Sequence, residues 1–290
     1  MSADTSASAP GASRVASRRW YTNPSLIVGA SLVLLVVLMA VVSYLWTPYD
    51  PTEVDPAVRL QGPSAEHWLG TDTLGRDVFS NLLTGARVTL LVGLISVGVG
   101  ALVGVPLGIA AAVSRPWVSQ TTQRSVDLLL AFPALLLAIA FGAIWGASTL
   151  TAMLAIGLAT APIFARLARS GTLQILATEY VPASRVAGHG TVYIVRRHVL
   201  PNIFGLLVVQ ASVTFGIAVL AESGLSYLGF GTPPPTPSWG LMLQQAQPVL
   251  YTEPLLSLWP ALAIVIAVLG FNLLGDGLRD HFDPQLDDRK

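Results

Sequence analysis

The sequence predicts an all-α protein that crosses a membrane six times, and two observations lead to this fold class. The 290-residue chain is 53% hydrophobic and only 11% charged, which is too apolar for an ordinary soluble protein. A membrane-spanning helix needs roughly 20 apolar residues, and the chain contains uncharged runs of at least that length. These runs cover residues 26–46, 88–113, 128–165, 199–221 and 254–275.

The third run, 128–165, is nearly twice as long as one span requires, so we expect it to fold back on itself. The expected corner is Gly142–Ser148, where two glycines and a serine weaken the helix and Trp145 suits a membrane interface. The five runs therefore give six spans.

The arginines indicate the orientation, because basic residues in short loops stay on the cytoplasmic side of a membrane. If the N-terminus is inside, only Arg59, Arg76 and Arg87 lie outside or at the outer rim. Many of the acidic residues instead fall in the two external segments, 47–83 and 222–253. The sequence thus predicts a multi-pass protein with both termini in the cytoplasm.

The same pattern divides the chain into four parts. Residues 1–19 are rich in Ser, Ala and Arg and are expected to form a disordered cytoplasmic tail. Residues 20–87 hold the first span and an external segment, 88–285 hold a core of five spans, and 286–290 form a second cytoplasmic tail.

Several function classes are excluded by composition. The chain has no cysteine and a net charge of zero, which leaves no disulfide or thiolate nucleophile and no reason to expect nucleic-acid binding. Its only lysine is Lys290, so a lysine-containing phosphate-binding loop is absent. No uncharged run contains histidine, which argues against an intramembrane enzyme. We expect no catalytic residue and no bound cofactor.

A metal site is also not expected. His67 is predicted to be outside, whereas His189, His198 and His281 are predicted to be inside, so the four histidines cannot form one site. Each is better explained as a loop or interface residue.

One charged loop, about residues 176–200, separates the fourth and fifth spans on the cytoplasmic side. Mostly small side chains recur there at i, i+3, i+4 and i+7, which places them on one helical face. They are Tyr180, Ala183, Ser184 and Ala187. Thr178 is expected to cap this helix, and Gly188 to let the chain turn after it.

After that turn, Val192, Val195 and Val199 predict a second short amphipathic piece at the inner interface, before Pro201 begins the fifth span. On periodicity alone, the loop could simply be an interfacial segment that obeys the positive-inside rule.

Four motifs resemble those of one protein family. The stretch E-Y-V-P-A-S-R-V-A-G at 179–188, followed by R-H-V-L-P-N at 197–202, resembles the EAA loop of ABC importer permeases, with Ser184 where the family usually has a second alanine. The other three motifs resemble the dipeptide, oligopeptide and nickel branch of that family, and the likeness covers roughly residues 20–285. They lie at residues 67–87, 223–240 and 271–280.

The resemblance implies the type I permease fold of ABC importers and a location in the bacterial cytoplasmic membrane. This chain would be the second of two homologous permease subunits, working with two ATPase domains that bind ATP and Mg²⁺ and with an external solute-binding protein. A short coupling helix would dock into the ATPase. The residues implied in that contact are Glu179, Tyr180, Ala183, Ser184, Arg185 and Gly188.

Polar residues within the predicted spans or at their ends have two possible roles each. Gln210 and Asn272 are candidates for the translocation path, or they form hydrogen bonds between helices. Asp127 and Glu222 lie at span ends and are expected to be interfacial anchors rather than ion sites.

In the outer segments, Asp72, Arg76, Asp77 and Trp239 are candidates for an external gate or a binding-protein contact. The i, i+4 spacing of Asp72 and Arg76 predicts an ion pair on one helical turn. The plainer alternative is that 72–77 is a folded lead-in to the second span.

The substrate expected from the resemblance is a di- or oligopeptide. Nickel, haem and glutathione are alternatives because similar subunits carry them. A channel that conducts without an ATPase is the rival from a different functional class.

Overall fold

A computed structural model describes residues 23–282, and within that range the chain forms helices and no β-strand. The predicted all-α fold is therefore confirmed. The helices are α1 (Pro24–Leu45), α2 (Val78–Val113), α3 (Pro116–Ala131), α4 (Ala134–Trp145), α5 (Thr149–Leu176), α6 (Tyr180–Val186), α7 (Thr191–Ile194), α8 (Leu200–Tyr227), α9 (Trp239–Ala246) and α10 (Leu255–Phe282). The two predicted tails, 1–19 and 286–290, lie outside the described residues.

The long helices agree with the predicted spans. Within the described range, 5 helices are long and apolar enough to cross a membrane, and there are up to 6 if the bent pair α3–α4 counts as one span. The predicted corner in 142–148 is correct, because α4 ends at Trp145, Gly146 adopts a positive φ of 89°, and Ser148 caps α5 by accepting a hydrogen bond from the amide of Thr151.

The sequence did not predict the interruption at Phe132–Pro133, where α3 and α4 meet at 84°. Proline has no amide hydrogen and disfavours helical geometry in the residue before it, so the helix ends at Ala131. The uncharged run masked this break, because polarity alone does not distinguish one straight helix from two short ones.

Helices α2 and α5 pack side by side through glycines. A Cβ atom added at Gly104 would overlap the carbonyl oxygen of Ala161, and one at Gly108 would overlap that of Ala165. Residue numbers thus increase in the same direction along both helices at their contact, so α2 and α5 run parallel. Small residues at this spacing let helix backbones approach closely in membranes.

The parallel packing fixes how the chain is threaded. Because α2 and α5 run in the same direction, the α3–α4 segment between them must return across the molecule. This gives six crossings, with α3–α4 as one broken crossing. We call the side where α2 and α5 end the α6 face, and the side that carries segment 46–77 and α9 the opposite face.

Helices α1, α8 and α10 complete the bundle. A Cβ atom at Gly29 or Gly277 would overlap the backbone of Leu274 or Leu26, respectively, so α1 and α10 are in close contact. Between α8 and α10, the rings of Phe215 and Phe271 stack with centroids 3.8 Å apart. The cluster around these helices includes Val36, Val219 and Ala267, which are buried.

The predicted separate amphipathic piece at 192–199 is wrong. Residues Thr191–Tyr227 form one continuous helical segment, in which α7 passes through a π-helical turn at Val195–Val199 into α8. Pro201 has no amide hydrogen to donate, and the wider turn before it, with the amide of Leu200 bonded to the carbonyl of Val195, keeps the segment helical.

Candidate functional site

Helix α6 is held to the molecule by one buried side chain. Val181 is completely buried, in a cluster with Ile194, Val199 and Ile203 of the α7–α8 segment. The same cluster contains Ala168 of α5 and Ile109 of α2. Val181 therefore places α6 against an apolar cluster to which three long helices contribute.

The rest of α6 is open. Glu179, Ala183, Arg185 and Gly188 are exposed, and Ser184 is half-buried. Tyr180 and Ala187, which belong to the same predicted face, are exposed as well. The structure therefore confirms that a helix forms here and that its small side chains face outward.

The ends of α6 differ from the prediction in one respect. Thr178 does not cap the helix, because its hydroxyl donates to the carbonyl of Ile175 at 2.6 Å and Glu179 occupies the N-cap position without a side-chain hydrogen bond. Gly188 ends the helix as expected, with a positive φ of 85°. That conformation is strained for any residue with a Cβ atom.

Aromatic and histidine side chains connect α6 to the start of the next helix. The rings of His189 and Tyr193 stack at 3.9 Å, and Nδ1 of His189 lies 3.3 Å from Oγ of Ser184. Tyr180 packs 5.5 Å from His198, measured between ring centroids. The sequence did not predict this contact, because residues 180 and 198 are not at a helical spacing.

The α6 surface carries positive charge. Arg185, Arg196 and Arg197 are exposed, and none forms a salt bridge with another described residue. Glu179, at the N-cap of α6, is the only acidic residue in the segment 179–200. A surface of this kind complements a partner with acidic groups around a cavity that accepts small residues.

The histidine side chains that the structure describes do not converge on a metal site. No group of three potential His, Cys, Asp or Glu ligands occurs in the described part of the chain. His67 lies on the opposite face, where its Nδ1 is 3.0 Å from Oδ1 of Asp77. The side chain of His281 is outside the described set.

Gln210 and Asn272 are not brought together. The Gln210 amide donates to the hydroxyl of Thr214 at 3.1 Å within α8. Asn272, on α10, faces Gly216 of α8, where an added Cβ atom would lie 3.4 Å from the Asn272 amide nitrogen. Asn272 thus occupies a helix–helix contact, and the path-lining role of both residues stays a prediction.

The predicted Asp72–Arg76 ion pair is wrong. The chain turns at 72–75, and Oδ1 of Asp72 accepts hydrogen bonds from the backbone amides of Leu74 and Arg76 at 2.7 and 2.9 Å. A bridge between Thr71 and Asp77 closes this turn. The i, i+4 spacing brings two side chains together only on a helix, and residues 72–76 do not form one.

Asp77 and Trp239 have internal positions. Asp77 is buried and caps α2, its Oδ2 accepting from the amide and hydroxyl of Ser80 at 2.8 and 2.7 Å. Trp239 is completely buried and donates its indole N–H to the carbonyl of Leu82 at 2.9 Å. Arg76 is also buried. A contact between these residues and a binding protein stays a prediction, and Asp72 is the least buried of the four.

Glu222 is not an interfacial anchor. It is completely buried near the end of α8, and its Oε1 accepts hydrogen bonds from the hydroxyls of Ser226 and Thr232 at 2.6 and 3.3 Å. It thereby connects α8 to the following loop. Asp127, in contrast, is exposed, and pairs with Arg166 at 2.7 Å.

Comparisons with known proteins match almost the whole chain. The family model of the binding-protein-dependent transport system inner membrane component covers residues 104–288, and that of the N-terminal TM domain of oligopeptide transport permease C covers residues 12–63. The chain is 40% identical to the dipeptide transport system permease protein DppC of Alkalihalophilus pseudofirmus, over 94% of this chain and 90% of that protein.

Two further similarities are informative. The chain is 40% identical to the glutathione transport system permease protein GsiD of Pectobacterium atrosepticum, over 93% of this chain and 90% of that protein. Among solved structures, it resembles a chain of the MetNI methionine ABC transporter in an inward-facing conformation, with a TM-score of 0.58 and 23% identity over 70% of this chain and 96% of that one. This last likeness concerns the fold alone.

Proposed function

This chain belongs to the family of binding-protein-dependent transport system inner membrane components, and on that basis we propose that it is a permease subunit of an importer powered by ATP hydrolysis in separate subunits. The observation that carries this proposal is α6, a short helix whose small side chains are exposed and whose Val181 side chain is buried against the rest of the molecule. Such a helix suits docking into another protein and has no role in a channel that works alone.

In this mechanism, α6 receives movement and the long helices transmit it. Closure of the ATPase domains on ATP would push α6, and the Val181 cluster would pass the displacement to α2, α5 and α8. ATP and the loaded binding protein must each favour one conformation of the permease over the other, because a ligand that binds both equally shifts nothing.

We place the α6 face in the cytoplasm. The basic side chains there are Arg115, Arg124, Arg166, Arg169, Arg185, Arg196, Arg197 and Arg279. Only Arg59, Arg76 and Arg87 lie at the opposite face within the described range, together with most of the acidic residues. The positive-inside rule then orients the molecule. The described residues begin and end on the cytoplasmic side.

The proposed partners follow from this orientation. A homologous second permease subunit completes the membrane part, two ATPase domains with ATP and Mg²⁺ bind at the α6 face, and a solute-binding protein delivers the solute at the opposite face. Hydrolysis resides in the ATPase subunits, so this chain itself is not an enzyme.

We propose a di- or oligopeptide as the solute. The similarity to DppC supports a dipeptide, and the equal similarity to GsiD supports glutathione, which is itself a tripeptide. A short peptide-like solute is the chemistry common to both. Nickel and haem have no support from these relatives.

The proposal is tested by uptake of labelled dipeptide into proteoliposomes that contain the complete transporter. We expect uptake to require both ATP and the binding protein. Unlabelled glutathione, longer peptides, haem and nickel are compared as competitors. Uptake without ATP would instead identify a channel, and inhibition by nickel or haem alone would overturn the peptide assignment.

A further inference from the structure

The interruption between α3 and α4 lies beside an apolar part of α5, one of the helices that are long and apolar enough to cross a membrane. Five residues before Phe132, Asp127 pairs with Arg166 of α5. Five residues after Pro133, Ala138 packs in a buried cluster with Met153 and Ile156 of α5. The interruption therefore lies beside the 156–166 stretch of α5, where the only charged residue is the last one.

Backbone polar groups are unpaired at this interruption. α4 begins after Pro133 without a side-chain cap, so the amides of its first turn have no partner within the helix. α3 ends with a long hydrogen bond of 3.3 Å from the Phe132 amide to the Leu129 carbonyl. An unpaired backbone group in hydrocarbon costs several kcal/mol, so such a break is tolerated only inside protein or beside water.

The rest of the described chain does not cover the interruption. Phe132 is 60% exposed, and Leu129, Ala131, Pro133 and Leu136 are exposed around it. Lipid is excluded by the cost of the unpaired groups, so either water or another subunit must lie against them.

The polar face of α3 favours water. Gln120, Arg124 and Asp127 follow one another at i, i+4 and i+7, are all exposed, and end little more than one turn before Phe132. The Asp127–Arg166 ion pair is also exposed to solvent: 55% of the Arg166 side chain and 52% of the Asp127 side chain are accessible. An exposed ion pair of this kind needs hydration. A hydrophilic track thus leads from the α6 face to the interruption.

We propose that the interruption at Phe132–Pro133 lines the water-filled part of the translocation pathway, on the side that opens to the α6 face. This inference rests on the proposed transport function, because it is that function which requires an aqueous pathway. It assigns the pathway to α3 and α4 and does not depend on Gln210 or Asn272.

Cysteine accessibility tests the proposal, since the chain has no cysteine of its own. Phe132→Cys and Ala131→Cys are introduced singly into the assembled transporter in inside-out membrane vesicles. Each is treated with a charged, membrane-impermeant methanethiosulfonate, and labelling of this chain is followed over time. Leu102→Cys, at a 78% exposed position in the unbroken part of α2, is the control for apolar surroundings. Ser114→Cys, exposed after α2 on the α6 face, is the control for water.

We expect both reporter cysteines to react at least about tenfold faster than Leu102→Cys, because apolar surroundings raise a thiol pKa by a unit or more and thereby lower the thiolate fraction. Ala131→Cys is the smaller change and decides the result if Phe132→Cys does not assemble. Rates equal to that of Leu102→Cys would overturn the proposal. So would labelling that appears only after the partner permease subunit is removed, because protein would then cover the interruption.

Uptake by the transporter with the unaltered chain, which has no cysteine, is measured in parallel. ATP-dependent uptake with unreactive cysteines would contradict the inference and leave the proposed function intact. Reactive cysteines without ATP-dependent uptake would refute the proposed function, while the interruption would still be shown to meet water.

Discussion

Gly104 of α2 lies against the carbonyl group of Ala161 in α5, so closely that a Cβ atom at residue 104 would overlap the oxygen. Gly108, one turn later, meets the carbonyl group of Ala165 in the same way, and Gly100, one turn earlier, lies against the hydroxyl group of Thr160. This row of glycines lets the two helices approach closely. Because the helices run parallel, α3–α4 must cross back between them.

Substitution at this contact should weaken the fold. We expect Gly104→Ala to lower the free energy of unfolding by about 1–3 kcal/mol, as overpacking typically does, measured by thermal unfolding in detergent. Gly98→Ala is the matched control, since it lies on the same helix and an added Cβ atom meets no other group within 4 Å. An equal loss in both variants would show that the close approach does not stabilise the protein.

Val181 should anchor α6. Val181→Ala removes two methyl groups from a completely buried position, which we expect to cost about 1–2 kcal/mol. Because the contact is local, the measurable result is faster hydrogen exchange in α6 and lower transport. Val192→Ala, at a position 72% exposed, is the control and should change neither. Unchanged exchange in Val181→Ala would contradict the anchoring role.

The exposed face of α6 should tolerate only small side chains. We expect Ala183→Trp to insert normally in the membrane but to uncouple ATP hydrolysis from uptake, because the bulky ring prevents close docking. Ala183→Ser adds one oxygen atom and should preserve coupling. The measurement is the ratio of solute transported to ATP hydrolysed, and normal coupling in the tryptophan variant would refute the docking face.

Glu222 should hold the loop after α8. Glu222→Ala leaves the hydroxyls of Ser226 and Thr232 without their acceptor, a loss of about 1–3 kcal/mol for unsatisfied buried groups. We expect faster proteolysis of the loop at 229–238 from the outer side. Glu222→Gln keeps an acceptor oxygen and should resist cleavage better than the alanine variant. Equal cleavage of both variants and of the unaltered protein would disprove this role.

The fold could be predicted largely from two simple signals. Uncharged runs locate the spans because a helix in lipid must be apolar over its length. The glycines and the serine of 142–148 locate the corner because they weaken helices and permit the positive φ that Gly146 adopts. The helical spacing of Tyr180, Ala183, Ser184 and Ala187 likewise predicts that these residues share one face of α6.

The structure differs from the sequence predictions for two reasons. Some contacts join residues that are distant in sequence, and some spacing rules apply only where a helix forms. Nothing near Glu222 in the sequence indicates that Thr232 would donate a hydrogen bond to it. The Asp72–Arg76 spacing predicts an ion pair only on a helix, and the chain turns there instead. Pro133 is a local signal for the interruption, but it lies inside the uncharged run 128–165, whose composition shows no break there.

The central claim is that α6 transmits work from an ATPase subunit to the membrane helices. A photoactivatable cross-linker attached to Ala183→Cys, the single cysteine of its chain, tests it most directly in intact membranes. We expect a cross-linked product with the ATPase subunit whose yield changes when ATP is added. Products with lipid alone, or labelling of residue 183 only from the outer side of the membrane, would contradict it.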